Sequence, residues 1–172
     1  MSSGEFERIV KLDRLPAEPL TIEANRAECE ALARRFGLPA IQALSAKVAL
    51  AQIGEVIEAR GQLSASFDQR CAVADEVFAN NLEERLAVRF VRSIAPGSEE
   101  EAIEFTGEDA DEIEYDGAAF DLGEAVAQSF GLALDPYATG PNADEVRRAA
   151  GIVDEDTPTG PFAALAALKA KG

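Results

Sequence analysis

Apolar residues recur along this chain with two different periods, and the change from one to the other outlines the fold. From Ile41 the period is two: Leu44, Ala46, Val48 and Leu50 alternate with Ser45, Lys47, Ala49 and Ala51 up to Gly54. The next run is cleaner. Ile57, Ala59, Gly61, Leu63, Ala65 and Phe67 face one way, and Glu58, Arg60, Gln62, Ser64, Ser66 and Asp68 face the other. A third run sets Leu82, Leu86, Val88 and Phe90 opposite Glu83, Arg85 and Arg89. Successive side chains on a strand point to opposite faces, so this alternation marks half-buried strands. The three runs predict an antiparallel meander with one wet face and one covered face.

Helical spacing appears on either side of the meander. Thr21 is the expected cap of a helix running through Phe36, with Ile22, Cys29, Leu32, Ala33 and Phe36 on one face. Gly37 suits the left-handed position that ends a helix, and Pro39 prevents resumption. Ahead of it, residues 5–12 suit a first edge strand, interrupted by the prolines of Leu15-Pro16-Ala17-Glu18-Pro19. Ile113 and Tyr115 predict a short strand before the turn pair Asp116-Gly117. Asp121 then predicts the cap of a second helix, with Glu124 completing a capping box. Leu122, Ala125, Val126, Phe130 and Ala133 point to the core, and Asp135-Pro136 is the stop.

Beyond Gly140 the chain is rich in Pro, Gly and Ala and is expected to be only partly ordered. It finishes in a short helix with Pro161 at the favoured first position, too short to hold in water without a surface to dock on. The expected architecture is α+β. An antiparallel meander, either open or curled toward a barrel, carries helices on one face, beside an irregular acidic and C-terminal region. Residues 1–140 form the expected single domain, and 141–172 an extension with the docking helix.

Composition narrows the chemistry. A 172-residue chain with 47% hydrophobic residues is long enough to bury a core without a metal or disulfide. Its longest apolar run, Phe162 to Leu168, is far short of the roughly 18 residues a bilayer crossing needs. The acidic start, Gly4-Glu5-Phe6-Glu7, is unlike a signal peptide, so a cytoplasmic protein is expected. There is no histidine, which removes Ser-His-Asp and Cys-His nucleophiles and any zinc site needing imidazole. Neither Gly-rich phosphate-binding motif is present. No cofactor, no small-molecule substrate and no enzymatic activity is expected.

The net charge of −16 is uneven. Ser93 to Val146 contains no Lys or Arg and 15 acids, whereas the other 17 acids and 16 bases nearly cancel. Phosphate backbones are repelled by such a stretch, so it reads either as a solvated loop or as an arm for a basic partner. Its candidate partner-binding residues are Glu99, Glu100, Glu101, Glu108, Asp109, Asp111 and Glu112, joined by Phe162, Leu165 and Leu168 at groove-docking spacing. A divalent ion on Glu108, Asp109, Asp111 and Glu112 is disfavoured, because their spacing is not that of a calcium loop.

Three segments carry a resemblance. They are Asp68-Gln69-Arg70-Cys71, then Tyr115-Asp116-Gly117-Ala118-Ala119-Phe120-Asp121-Leu122-Gly123-Glu124, then Pro161-Phe162-Ala163-Ala164-Leu165-Ala166-Ala167-Leu168-Lys169. With Arg34-Arg35-Phe36-Gly37-Leu38-Pro39 ahead of them, the chain resembles the YceD family of bacteria and chloroplasts, in its alphaproteobacterial form. Gln69, Arg70, Cys71, Asp121, Leu122, Gly123 and Glu124 are its family-motif positions. The resemblance implies a role in accumulation of large-subunit ribosomal RNA, without established catalytic residues. Many members carry Cys-x-x-Cys where this chain has Asp68-Gln69-Arg70-Cys71, so the paired-thiolate site is not complete here. Relatives usually carry basic residues after the position of Tyr137, where this chain reads Ala138-Thr139-Gly140-Pro141.

The expected function is therefore that of a non-catalytic factor in large ribosomal subunit biogenesis, binding a basic ribosomal protein or an assembly intermediate. The alternative is direct RNA binding through the open sheet face, with Arg60, Gln62, Ser64, Ser66, Arg85 and Arg89 as donors but without stacking aromatics.

Overall fold

The computed structural model describes residues 4–93 and 110–152. Contacts divide the chain into two compact units, Met1–Gln69 with Ala79–Asp135, and Arg70–Phe78 with Pro136–Gly172.

The first unit is built on a five-stranded sheet. Its strands are β2 (Leu20–Glu23), β3 (Ala40–Ile53), β4 (Val56–Arg70), β5 (Val77–Arg92) and β6 (Asp111–Tyr115), in the order β2-β3-β4-β5-β6. β2 and β3 pair antiparallel, as do β3 and β4, whereas β6 runs parallel to β5. The sheet is mixed and is not closed into a barrel. Gly54, at φ 63°, supplies the left-handed residue of the two-residue turn between Ile53 and Val56. Ile41 and Leu44 are both buried although three residues apart, because a bulge between Ile41 and Ala43 shifts the register. Thereafter the alternation holds: Leu44, Ala46, Val48, Ile57, Ala59, Leu63, Ala65, Phe67, Leu86, Val88 and Phe90 are all in the core.

Two helices cover the inner face. α1 runs Arg26–Phe36 rather than from Thr21, which belongs to β2 and pairs with Lys47. Leu20-Thr21-Ile22 buries Ile22 against β3, and the reciprocal box of Asn25 and Glu28 starts the helix instead. Gly37 ends α1 at φ 66°, with the Leu38 N–H donating to the Ala33 carbonyl at 2.9 Å. α2 runs Leu122–Ala133 and drives Phe130 between Phe36 and Phe67, edge-on to both at 5.5 and 5.4 Å. Ala133 is only half-buried.

The expected first strand shrinks to β1 (Ile9–Lys11). It pairs not with the large sheet but antiparallel with β7 (Ala119–Asp121) in a separate two-stranded sheet. Leu12–Arg14 form a 3₁₀ turn after it.

The second unit, described to Ile152, is more regular than its composition suggests. α3 (Ala143–Ala149) forms beyond Gly140, with Ala143 buried. The Cys71 N–H donates to the Glu76 carbonyl, the Ala72 N–H to the Ala138 carbonyl, and the Asn142 amide to the Glu76 carboxylate at 2.8 Å. The order unforeseen in the sequence comes from these tertiary bonds. The helix expected from Pro161 lies outside the described residues. Among those described, no helix is long and apolar enough to cross a membrane.

Candidate functional site

β6 reads Asp111-Glu112-Ile113-Glu114-Tyr115, and its two apolar residues hold it in place. Tyr115 is buried and its hydroxyl donates to the Glu55 carbonyl at 3.2 Å, while Ile113 packs against the core. Gly117, at φ 84°, makes the turn that sends the chain into β7. The carboxylates are thus presented on the terminal strand of the sheet. Glu112 accepts from the Arg89 guanidinium at 3.3 Å, and Glu114 accepts from the Ser93 hydroxyl at 3.3 Å. Among the described residues no cation lies within ion-pair distance of Asp111 or Glu114. Both side chains are exposed. Glu99, Glu100, Glu101, Glu108, Asp109, Phe162, Leu165 and Leu168 lie outside the described residues.

Two acids of the same stretch serve the fold instead. The Asp121 carboxylate caps α2 by accepting from the Glu124 N–H at 3.2 Å, and it also accepts from the Arg8 N–H at 2.8 Å. Glu124 does not complete the expected capping box. Its carboxylate takes both arms of Arg35, at 2.8 and 2.7 Å, because this partner is charged and bidentate. That pairing lowers the Glu124 pKa, as the Arg8 guanidinium lowers that of Glu28. Leu122 is fully buried, and its N–H donates to the Arg8 carbonyl at 3.0 Å. A Cβ on Gly123 would sit 2.1 Å from the Phe6 carbonyl oxygen, so only glycine lets the N-terminal segment lie flush on α2. Asp121-Leu122-Gly123-Glu124 is an anchor for the N-terminus.

The other motif positions divide between the units. Gln69, buried in the first, donates to the Asp135 carbonyl and accepts from the Asn80 amide at 3.2 Å. In the second, Arg70 pairs with Asp75 at 3.6 Å. Cys71 is buried and its sulfur accepts from the Ala74 N–H at 3.3 Å. Backbone N–H groups, Ala74 first and then Gly140, push this thiol's pKa down, whereas burial raises that of Cys29. Both cysteines are free. Among the described residues no three His, Cys, Asp or Glu side chains gather as metal ligands.

The outer sheet face is more balanced than its arginines suggest. Arg60 lies 3.3 Å from Glu58. Arg89, expected to be wet, is buried between Glu112 and Glu58. A shallow groove of about 680 Å³, lined by Arg60, Glu84, Arg85 and Leu86, carries both signs of charge. Lys47, Gln62, Ser64 and Ser66 share the face on β3 and β4.

Sequence reasoning missed Arg8, Arg35 and the Asn25 cap. The Asn25-x-x-Glu28 spacing was there to be read, but nothing local marks the arginines, whose partners lie 20 and 89 residues away. No family model, no curated protein and no solved structure matches the chain.

Proposed function

We propose that this protein is a non-catalytic, cytoplasmic factor in large ribosomal subunit biogenesis that holds a basic ribosomal component. The observation that carries the reading is β6, a terminal strand whose Asp111 and Glu114 meet no cation among the described residues. Uncompensated carboxylates on a surface raise the association rate of a cationic partner and repel phosphate backbones. The excess of 16 negative charges over the whole chain acts in the same sense. The YceD-like segments supply the ribosomal context, and the terminal Phe162, Leu165 and Leu168 remain candidates for an apolar contact.

A crosslinked pull-down from cells tests it, comparing the unaltered chain with a variant carrying Asp111→Asn and Glu114→Gln together with neutral replacements over 99–109. Recovery of one small basic ribosomal protein by the first and its loss with the second is the expected result. Equal recovery by both sinks the proposal.

The groove beside Arg60 and Arg85 favours a second reading, direct contact with ribosomal RNA. It requires binding that weakens steeply with salt, and absence of binding at low salt removes it.

A further inference from the structure

We infer that the outer edge of β6 accepts an extended basic segment of a partner protein as an added strand, which deepens the proposed function and rests on it. The backbone shows which groups are available. Tyr115 turns its carbonyl toward β5, where it accepts from the Ser93 N–H at 2.9 Å. Consecutive residues of a strand direct their backbone groups to opposite edges, so Asp111 and Ile113 also face β5. Glu112 and Glu114 therefore direct their N–H and C=O groups to the other edge, where among the described residues no strand pairs with them. Exposed ladders of this kind are templates for a further strand.

The side chains select the guest. Glu112 and Glu114 stand on one face of β6, and Ile113 and Tyr115 stand on the core side. A strand laid alongside meets Glu114, and Glu112 with its Arg89, on one face, and the half-buried Ile113 beside the exposed Asp111 on the other. Its complement alternates Lys or Arg with apolar residues. The same carboxylates repel a second copy of this chain, since two β6 edges brought together would oppose acid with acid. At the far end of the sheet, the β2 edge is different: the Glu23 carbonyl already accepts from the Arg8 guanidinium at 2.7 Å.

Binding of a labelled hexapeptide alternating lysine and valine tests the inference on the full chain. Glu114→Gln removes the charge and keeps the backbone donor. Glu114→Pro removes the charge and the outward N–H, leaving the ladder to β5 intact. Strand addition requires Glu114→Pro to bind about tenfold more weakly than Glu114→Gln. If the two variants bind alike, within about twofold of each other, and both more weakly than the unaltered chain, the basic-partner reading survives and strand addition is overturned. Should the proline variant fail to fold, amide exchange in the unaltered chain decides. The Glu112 and Glu114 amides are expected to exchange freely until the peptide protects them. Protection already present in the free chain, or no protection by the peptide, overturns the inference.

Discussion

Arg35 and Glu124 stand 89 residues apart in sequence and meet through two parallel hydrogen bonds, Nη1 to Oε2 at 2.8 Å and Nη2 to Oε1 at 2.7 Å. Glu5 joins the same guanidinium at 3.3 Å. The cluster ties the C-terminal turn of α1 to the first turn of α2 and to the N-terminal segment. It closes the layer of helices over the sheet.

The pair makes stability fall in acid. The folded state holds the Glu124 pKa below its usual value of 4.5, first through the Arg35 hydrogen bonds. A lowered pKa stabilises above the unfolded value, and that contribution is lost as the pH falls from there through the folded value. Both side chains are about 30% exposed, so solvent screening limits the contribution to about 1 kcal/mol. Urea midpoints of Glu124→Gln measured from neutral pH downward should start lower and decline less below pH 4.5 than those of the unaltered chain.

Gly123→Ala should loosen the N-terminal segment. The added methyl meets the Phe6 carbonyl, which belongs to backbone and cannot swing aside. A cost of about 1–3 kcal/mol is expected, read as a lower melting temperature with faster amide exchange at Ile9–Lys11.

Phe130→Ala should be among the most damaging single changes. It empties the site between Phe36 and Phe67. Urea unfolding should show a loss of about 3–5 kcal/mol. Leu132→Ala, two residues on but 75% exposed, should change stability by less than about 0.5 kcal/mol.

The two thiols should ionise in a definite order. Backbone N–H groups favour the Cys71 thiolate, and burial disfavours that of Cys29. Ultraviolet thiolate titration of the Cys29→Ala and Cys71→Ala variants should place Cys71 at the lower pH. The reverse order would contradict the hydrogen bond from Ala74.

Alternation was enough to find the three long strands of the sheet. Ile57 through Phe67 and Leu86 through Phe90 could bury one face only as strands, and they do. Gly37 and Asp121 were likewise readable, since helix ends answer to their own few residues. Thr21 misled because a Thr before an apolar residue caps a helix or extends a strand equally well. The pairing of Leu20–Glu23 with Ser45–Val48 decided between them.

The sequence by itself determined the α+β class, the strand faces, both main helices and the concentration of acid between Ser93 and Val146. These follow from short-range periodicity and from counting. Only the tertiary structure decided how that acid divides: Asp121 caps α2 and holds the Arg8 N–H, Glu124 pairs with Arg35 and Glu112 with Arg89, and Asp111 and Glu114 are left exposed on the terminal strand of the sheet. Ion pairs between residues far apart in the chain depend on how the backbone folds back, and no local pattern encodes that return.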